Sequence, residues 1–306
     1  MRITFSCQNT NSEPWLQGFR DVLPGVEINE WVSGASMADY AVVWAPSQSL
    51  FDEQLKLRGI FNIGAGVDAL MRLRLPPAAQ LVRLNDAGMA VQMAEYVCHA
   101  VTRHFREFDG YAKDIALQNW TFRKPKLRVD FPVGVMGLGV LGSRVAQALK
   151  QFEFPVRGWS RKAQNIDGVT CFSGNDELVT FLRGTRILVC LLPLTPETEN
   201  ILNADNLSCL MPQGYLINVA RGAHLVEEDL CSLIDNGVLS GATLDVFRTE
   251  PLPKNHFFWE HPKITITPHT SARTLRQDTI AQIAEKILAM ERGEFVPGVV
   301  VKTRGY

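Results

Sequence analysis

A doubly wound α/β architecture, with two parallel sheets, follows from three features of the chain. Short apolar strands alternate with segments of helical periodicity along most of the sequence. The length of 306 residues suits two domains of ordinary size, and 46% hydrophobic residues can fill two cores. An apolar run, Phe131 to Met136, leads into Gly137-Leu138-Gly139-Val140-Leu141-Gly142 and then into helical spacing at Val145, Ala146 and Leu149.

That order of strand, glycine turn and helix is the pattern of a Rossmann-type dinucleotide site. Gly137 permits the tight turn, Gly139 lets a pyrophosphate approach the backbone, and Gly142 lets the helix pack on the strand. The helix N-terminus offers unpaired N–H groups and a positive dipole end to the phosphates.

Residues 1 to about 90 read as strands at 3–7, 26–31, 40–44, 60–63 and 81–84. Helices are expected at 13–23, where Pro14 fits a first turn, and at 50–58. No glycine fingerprint follows the first strand, so this half is not the nucleotide half. The loop Ile63-Gly64-Ala65-Gly66-Val67-Asp68 is either an anion-facing turn of backbone N–H groups or an ordinary strand-to-helix turn. Residues 89–120 read as one long helical segment, with Met93, Val97, Ala100, Val101, His104, Phe105 and Phe108 at helical intervals. It is apolar on more than one side, which implies contact with a second subunit. His99 and His104 lack the spacing of a metal pair and read as packing or surface histidines. The basic stretch 123–128 contains proline and reads as a surface linker. Beyond it, strands are expected at 133–136, 156–159, 169–172, 187–192, 215–219, 243–247 and 264–267, and helices at 140–151, 176–183, 204–210 and 227–236. A last amphipathic helix buries Ile280, Ile283, Ala284, Ile287 and Leu288 and stops at Gly293.

The charge balance, 31 basic against 32 acidic residues, gives no long-range attraction to nucleic acid or to an anionic membrane. No apolar run is long enough to cross a bilayer, and Met1 to Cys7 reads as a first strand and not as a signal peptide. The six cysteines lie far apart without a CxxC pair, which suits reduced, buried thiols in the cytoplasm better than zinc ligands.

Four strand ends carry the candidate chemistry. The second strand of the nucleotide half ends in Ser160-Arg161-Lys162. An NAD site ordinarily has Asp or Glu here for the ribose hydroxyls. A hydroxyl followed by two cations would instead hold a 2′-phosphate, so NADP is preferred over NAD unless Arg161 and Lys162 are merely solvated. Three later strand ends deliver Arg221 (in 218–222), Glu250 (in 245–253) and His269 (in 267–272). Ligands of open α/β sheets bind beyond the carboxyl ends of the strands. There an arginine can fork onto a carboxylate, a histidine can exchange a proton near neutral pH, and a glutamate can orient the imidazole and favour its charged form. Taken singly, Arg221 and Glu250 could equally be a structural ion pair, and His269 a satisfied core histidine. The bend 253–262, with Phe257, Phe258 and Trp259, either touches substrate or only caps the core, the latter being favoured.

Taken together, GAGVD at 64–68, the fingerprint at 137–142, LLPLTPET at 191–198, INVARG at 217–222, LDVFRTEPLP at 244–253 and TPH at 267–269 resemble the D-2-hydroxyacid dehydrogenase family over nearly the whole chain. The ADYAVVW stretch at 38–44, the GWSRK loop and the terminal TRGY resemble its reductases of glyoxylate and hydroxypyruvate. The resemblance implies two Rossmann-like or flavodoxin-like domains with the active site in a cleft between them. Residues 1–90 plus 270–306 would form the substrate domain, and 91–269 the inserted NAD(P)-binding domain. The last helix would then need a partner far back in sequence. The family is usually dimeric through its cofactor domains, which suits the apolar helix.

The resemblance also implies roles. Arg221 would bind the substrate carboxylate and polarise the 2-oxo group, and His269 would be the general acid with Glu250 as its partner. Backbone N–H groups of Ala65, Gly66 and Val67 would hold the carboxylate. Asp245 would bond the nicotinamide carboxamide, and Leu192, Pro193 and Thr198 would line the cofactor. Trp44 would wall the substrate pocket or else simply pack in the core. Ser160 stands where the family commonly has Asp, which agrees with NADP. With no regulatory domain after residue 306, a long-type phosphoglycerate dehydrogenase is disfavoured. The expected activity is NADPH-dependent reduction of a small 2-oxo acid such as glyoxylate or hydroxypyruvate. The rivals are a reductase of a bulkier 2-oxo acid and an NAD(H)-sensing corepressor that binds protein partners.

Overall fold

The computed structural model describes every residue except Ala65 and 301–306, so the TRGY stretch lies outside the described residues. The chain divides into two compact units, one of Met1–Met89 with Arg273–Tyr306 and one of Ala90–Ala272.

The first unit is built on a five-stranded parallel sheet: β1 (Arg2–Cys7), β2 (Glu27–Glu30), β3 (Tyr40–Trp44), β4 (Gly59–Asn62) and β5 (Gln80–Val82), in the order β2-β1-β3-β4-β5. This is the flavodoxin-like winding. The helix Arg276–Glu291 returns to it from the far end of the chain. Its Ile280, Ile283, Ala284 and Ile287 share one core with Ile3, Phe5, Phe19, Tyr40 and Phe61. Truncating the fully buried Ile283 to Ala would cost about 2–5 kcal/mol. Leu288, expected on the buried face, is instead 41% exposed. The buried stripe continues through Ala289, with Met290 packed against the same core.

The second unit holds seven parallel strands: β6 (Val133–Met136), β7 (Val156–Ser160), β8 (Val169–Ser173), β9 (Ile187–Cys190), β10 (Gly214–Asn218), β11 (Leu239–Leu244) and β12 (Ile264–Ile266). Their order, β12-β11-β10-β9-β6-β7-β8, is the Rossmann winding with a seventh strand, and it reverses between β6 and β9. The central strands β6, β9 and β10 are buried throughout, as strands covered on both faces must be. Helix Val140–Gln151 presents Gly142, Val145, Ala146 and Leu149 to the core at spacings of three and four.

The long segment at 89–120 is two helices, Met89–Phe105 and Phe108–Ala116. Glu107 breaks it with a left-handed φ of 57°. Met93, Val97, Ala100, Val101 and Phe105 are buried, whereas Phe108, past the break, is 46% exposed. His104 packs in a stack on Tyr215 at 4.0 Å, while His99 is exposed. Burial pushes the His104 pKa down to about 4, helped by the charges of Lys126 and Arg186.

Candidate active site

The glycine turn lies past the end of β6, beside the strand-order reversal. Gly137 has φ +100°, and a Cβ there would fall 2.7 Å from the Leu191 carbonyl oxygen. At Gly142 an added Cβ would sit 1.7 Å from the Gly137 carbonyl oxygen, so only glycine brings the helix this close to the turn. Above Gly139 an added Cβ would meet nothing. That open backbone at a helix N-terminus fits the phosphates of a dinucleotide. Leu138 is buried against Gly158, whereas Val140 is exposed and Leu141 half-buried.

The neighbouring strand ends supply the rest of this rim. Ser160 donates from Oγ to the Lys162 carbonyl at 2.7 Å, and Arg161 and Lys162 are exposed. After β9, Leu192 is buried and Thr198 closes the loop. Its Oγ1 donates to the Pro193 carbonyl at 2.7 Å and accepts the Thr195 N–H at 2.9 Å.

Arg221, Glu250 and His269 follow β10, β11 and β12 and share one neighbourhood. Nδ1 of His269 donates to Glu250 Oε2 at 2.8 Å, and Glu250 Oε1 accepts the Phe247 N–H at 2.9 Å. Partial burial pushes the Glu250 pKa up. The bond from His269, the Phe247 N–H and the charges of His269 and Arg221 outweigh it and hold the carboxyl below its ordinary value. The carboxylate therefore stays an acceptor, and Nε2 is the imidazole nitrogen left for a substrate. Gly222 makes the approach possible, since a Cβ there would lie 1.9 Å from the Phe247 carbonyl carbon. The arginine turn thus closes onto the strand end that carries Glu250.

His269 itself is held at φ +53°, an unusual conformation for a side-chain-bearing residue. Its N–H donates to the carbonyls of Asp245 and Thr267 at 2.8 and 3.0 Å. Asp245 is fully buried, and its carboxylate accepts from Thr267 Oγ1 (2.5 Å), the Thr270 N–H (2.8 Å) and the Ser271 N–H (2.8 Å). Thr267 Oγ1 accepts in turn from the Tyr96 hydroxyl at 2.6 Å. Burial pushes that phenol up to about 12, so it remains a donor. Nothing in local spacing marked Tyr96, Thr267 or Ser271. Their role arises only when the helix and two strand ends meet.

In the first unit, Trp44 ends β3 and is 41% exposed. Its ring lies so close to Gly64 that an added Cβ would be 2.3 Å from it. Gly66 is half-buried and Val67 buried, while Ala65 lies outside the described residues. Asn62, which spacing did not single out, donates from Nδ2 to the Gly64 and Gly66 carbonyls at 3.1 and 2.7 Å. It thereby takes up two of the loop's acceptors. In the 253–262 bend, Phe258 enters the core, whereas Phe257 and Trp259 are 47% and 54% exposed. Among the described residues no group of His, Cys, Asp and Glu could hold a metal ion, and no helix is long and apolar enough to cross a membrane.

Known proteins place this geometry in a family. The model for the D-isomer specific 2-hydroxyacid dehydrogenase NAD-binding domain matches residues 97–271. The glyoxylate/hydroxypyruvate reductase A of Serratia proteamaculans is 46% identical, with 100% of both chains covered. A D-isomer specific 2-hydroxyacid dehydrogenase from Xanthobacter autotrophicus Py2, solved with NADPH and MES, superimposes with a TM-score of 0.95 at 35% identity, covering 100% of this chain and 99% of that one. An NADPH-dependent glyoxylate/hydroxypyruvate reductase from Sinorhizobium meliloti, solved with NADP and sulfate, gives 0.94 at 33% identity with the same coverage. The chain, with its two parallel-sheet units and its histidine–glutamate pair at the strand ends, belongs to the D-2-hydroxyacid dehydrogenase family.

Proposed function

We propose that this enzyme reduces a small 2-oxo acid with NADPH, taking glyoxylate to glycolate and hydroxypyruvate to D-glycerate. The observation that carries the reading is the His269–Glu250 pair at 2.8 Å beside Arg221, on the same strand-end rim as the open Gly139 turn. NADP(H) fits the turn and the Ser160–Lys162 loop, which offers a hydroxyl and two cations to a 2′-phosphate and no carboxylate to repel it. The NADP complexes of the relatives support this choice. Leu192, Pro193 and Thr198 line the same rim.

When bound, the reduced nicotinamide supplies the hydride. The protein's residues do the rest. Arg221 forks onto the substrate carboxylate and polarises the 2-oxo group. In the first unit the Gly66 and Val67 N–H groups, beside Trp44, form an anion-facing turn. Fixing the carbonyl in this way supplies much of the acceleration by orientation. As negative charge grows on the carbonyl oxygen, the charged imidazole of His269 gives it a proton from Nε2. Glu250, kept ionised, steadies the imidazolium before that transfer. Asp245 orders the loop that carries His269. Its Oδ1 takes two of the three bonds and its Oδ2 one, so Oδ2 keeps an acceptor site for the nicotinamide carboxamide.

The subunit is assigned to a homodimer formed through the second unit, where Ile115, Leu117, Trp120, Phe122, Leu127 and Val129 are all more than half exposed. The free thiols of all six cysteines suit the cytoplasm, although only Cys7 and Cys190 are buried and the other four are half-buried, against the expectation of buried thiols. A steady-state panel of NADPH and NADH, each with glyoxylate, hydroxypyruvate and pyruvate, tests the proposal. NADPH with glyoxylate or hydroxypyruvate should give the highest kcat/KM. A preference for NADH would overturn the cofactor assignment, and a preference for pyruvate the substrate.

A further inference from the structure

His224 is fully buried, three residues after Arg221 at the end of a short 3₁₀ turn, Gly222–His224. Its Nδ1 lies 3.2 Å from the Arg221 nitrogen and 3.1 Å from the Arg221 carbonyl oxygen. Its Nε2 lies 3.3 Å from the Pro193 carbonyl oxygen. The two possible tautomers differ in what they satisfy. With the proton on Nδ1, the bare Nε2 would face a carbonyl oxygen, acceptor against acceptor. The Arg221 carbonyl, moreover, already accepts from Asn218 Nδ2 at 3.1 Å and from the His224 N–H at 3.2 Å, so it needs no third donor. With the proton on Nε2, Nδ1 accepts the Arg221 N–H and Nε2 donates to Pro193, so every group is paired. The Pro193 carbonyl then has two donors, this one and the Thr198 hydroxyl at 2.7 Å.

We infer that His224 is a positioning residue that ties the backbone of Arg221 to the loop 193–198. One neutral imidazole would fix both the residue that clamps the 2-oxo acid and the loop that lines the cofactor. The inference rests on the functional assignment above. It adds that the two binding surfaces are held in register by a side chain that touches neither ligand. Each ring nitrogen serves one of them: Nδ1 the arginine, Nε2 the cofactor loop.

That division makes the role separable. His224→Phe keeps the ring volume and removes both nitrogens. His224→Asn keeps an acceptor near the position of Nδ1 and nothing at Nε2. His224→Gln carries a donor as far as Nε2 and nothing at Nδ1. Folding of each is followed by thermal melting, NADPH binding by cofactor fluorescence, and the glyoxylate KM by NADPH oxidation. The Phe variant should raise both the glyoxylate KM and the NADPH Kd by about tenfold, the effect of removing the acceptor of the Arg221 N–H and one of the two donors to the Pro193 carbonyl. The Asn variant should recover the glyoxylate KM and not the NADPH Kd. The Gln variant should do the reverse. Should the Phe variant fail to fold, the opposite recoveries of Asn and Gln still decide. A merely structural histidine would lower stability without this split, so equal losses in Asn and Gln, or a folded Phe variant with both constants unchanged, would overturn the inference. Absence of glyoxylate turnover by the unaltered protein would instead break the functional assignment on which it rests.

Discussion

Two loops at the carboxyl edge of one sheet are built in opposite ways. The loop after β12 is clamped: the Asp245 carboxylate takes three bonds from it, its His269 N–H is bonded to two carbonyls, and the imidazole is bonded to Glu250. The loop at the end of β7 is exposed at Arg161 and Lys162, with Ser160 turned onto its own Lys162 carbonyl. The difference fits what the proposed function would ask of each. Proton transfer needs hydrogen-bond distance, and small displacements of the acid are costly. Attraction of cations to a phosphate acts over several ångströms and tolerates mobile side chains. On the proposed roles, the tightly bonded loop is where bonds would change and the exposed, charged loop is where the cofactor would be selected.

If that contrast holds, substitutions at the clamped end should lower turnover and those at the exposed end should change only cofactor affinity. Apart from His269, the largest effect is expected from Arg221→Met, which removes both the carboxylate fork and the polarising charge. Its kcat/KM for glyoxylate should fall by roughly 10³-fold with NADPH affinity retained, read by steady-state kinetics and cofactor fluorescence. Glu250→Gln should lower kcat by about 10- to 100-fold, because the imidazolium loses its ionised partner. The sign of its pH dependence is fixed. The Glu250 carboxyl sits below its ordinary value of 4.5, so it stays ionised as pH falls through 4.5, and the pair is lost only at lower pH. In the wild type the loss of kcat on that account should begin below pH 4.5, and Glu250→Gln should abolish that acid limb. Arg161→Ala with Lys162→Ala should raise the NADPH KM by about tenfold and leave NADH and kcat unchanged. An equal change for both cofactors would remove the 2′-phosphate assignment.

A control far from either loop should leave turnover at pH 7 alone. His104 is held near pKa 4 against an ordinary 6.5. Between those values the unfolded chain takes up a proton that the fold refuses, so stability falls as pH falls. The loss should approach about 2 kcal/mol at pH 5, and thermal melts of His104→Leu should show a flatter pH dependence across the window.

Much of this was legible in the sequence because it is written locally. Twelve short apolar runs give the twelve strands among the described residues, and the glycine turn marks where the second unit begins its winding. The candidate residues Arg221, Glu250 and His269 lie in short polar stretches straight after strands, where a parallel sheet must deliver them to one edge. What could not be read was whatever depends on distant pairing. No glycine or proline announces the break at Glu107, whose left-handed backbone ends the first helix. The burial of Asp245, and the service of Asn62 and His224 to carbonyls, emerge only once separate strand ends or a folded loop come together. Leu288 fitted the helical stripe and is still 41% exposed, while Ala289 beside it is buried in the core.

The central claim is that His269 is the proton donor and is not part of the cofactor site. It is tested most directly by His269→Gln at saturating NADPH, with turnover of glyoxylate and cofactor fluorescence measured on the same protein. The account predicts that kcat falls by about 10³-fold or more while the NADPH Kd stays within about twofold. A variant that keeps a tenth or more of wild-type kcat would contradict it.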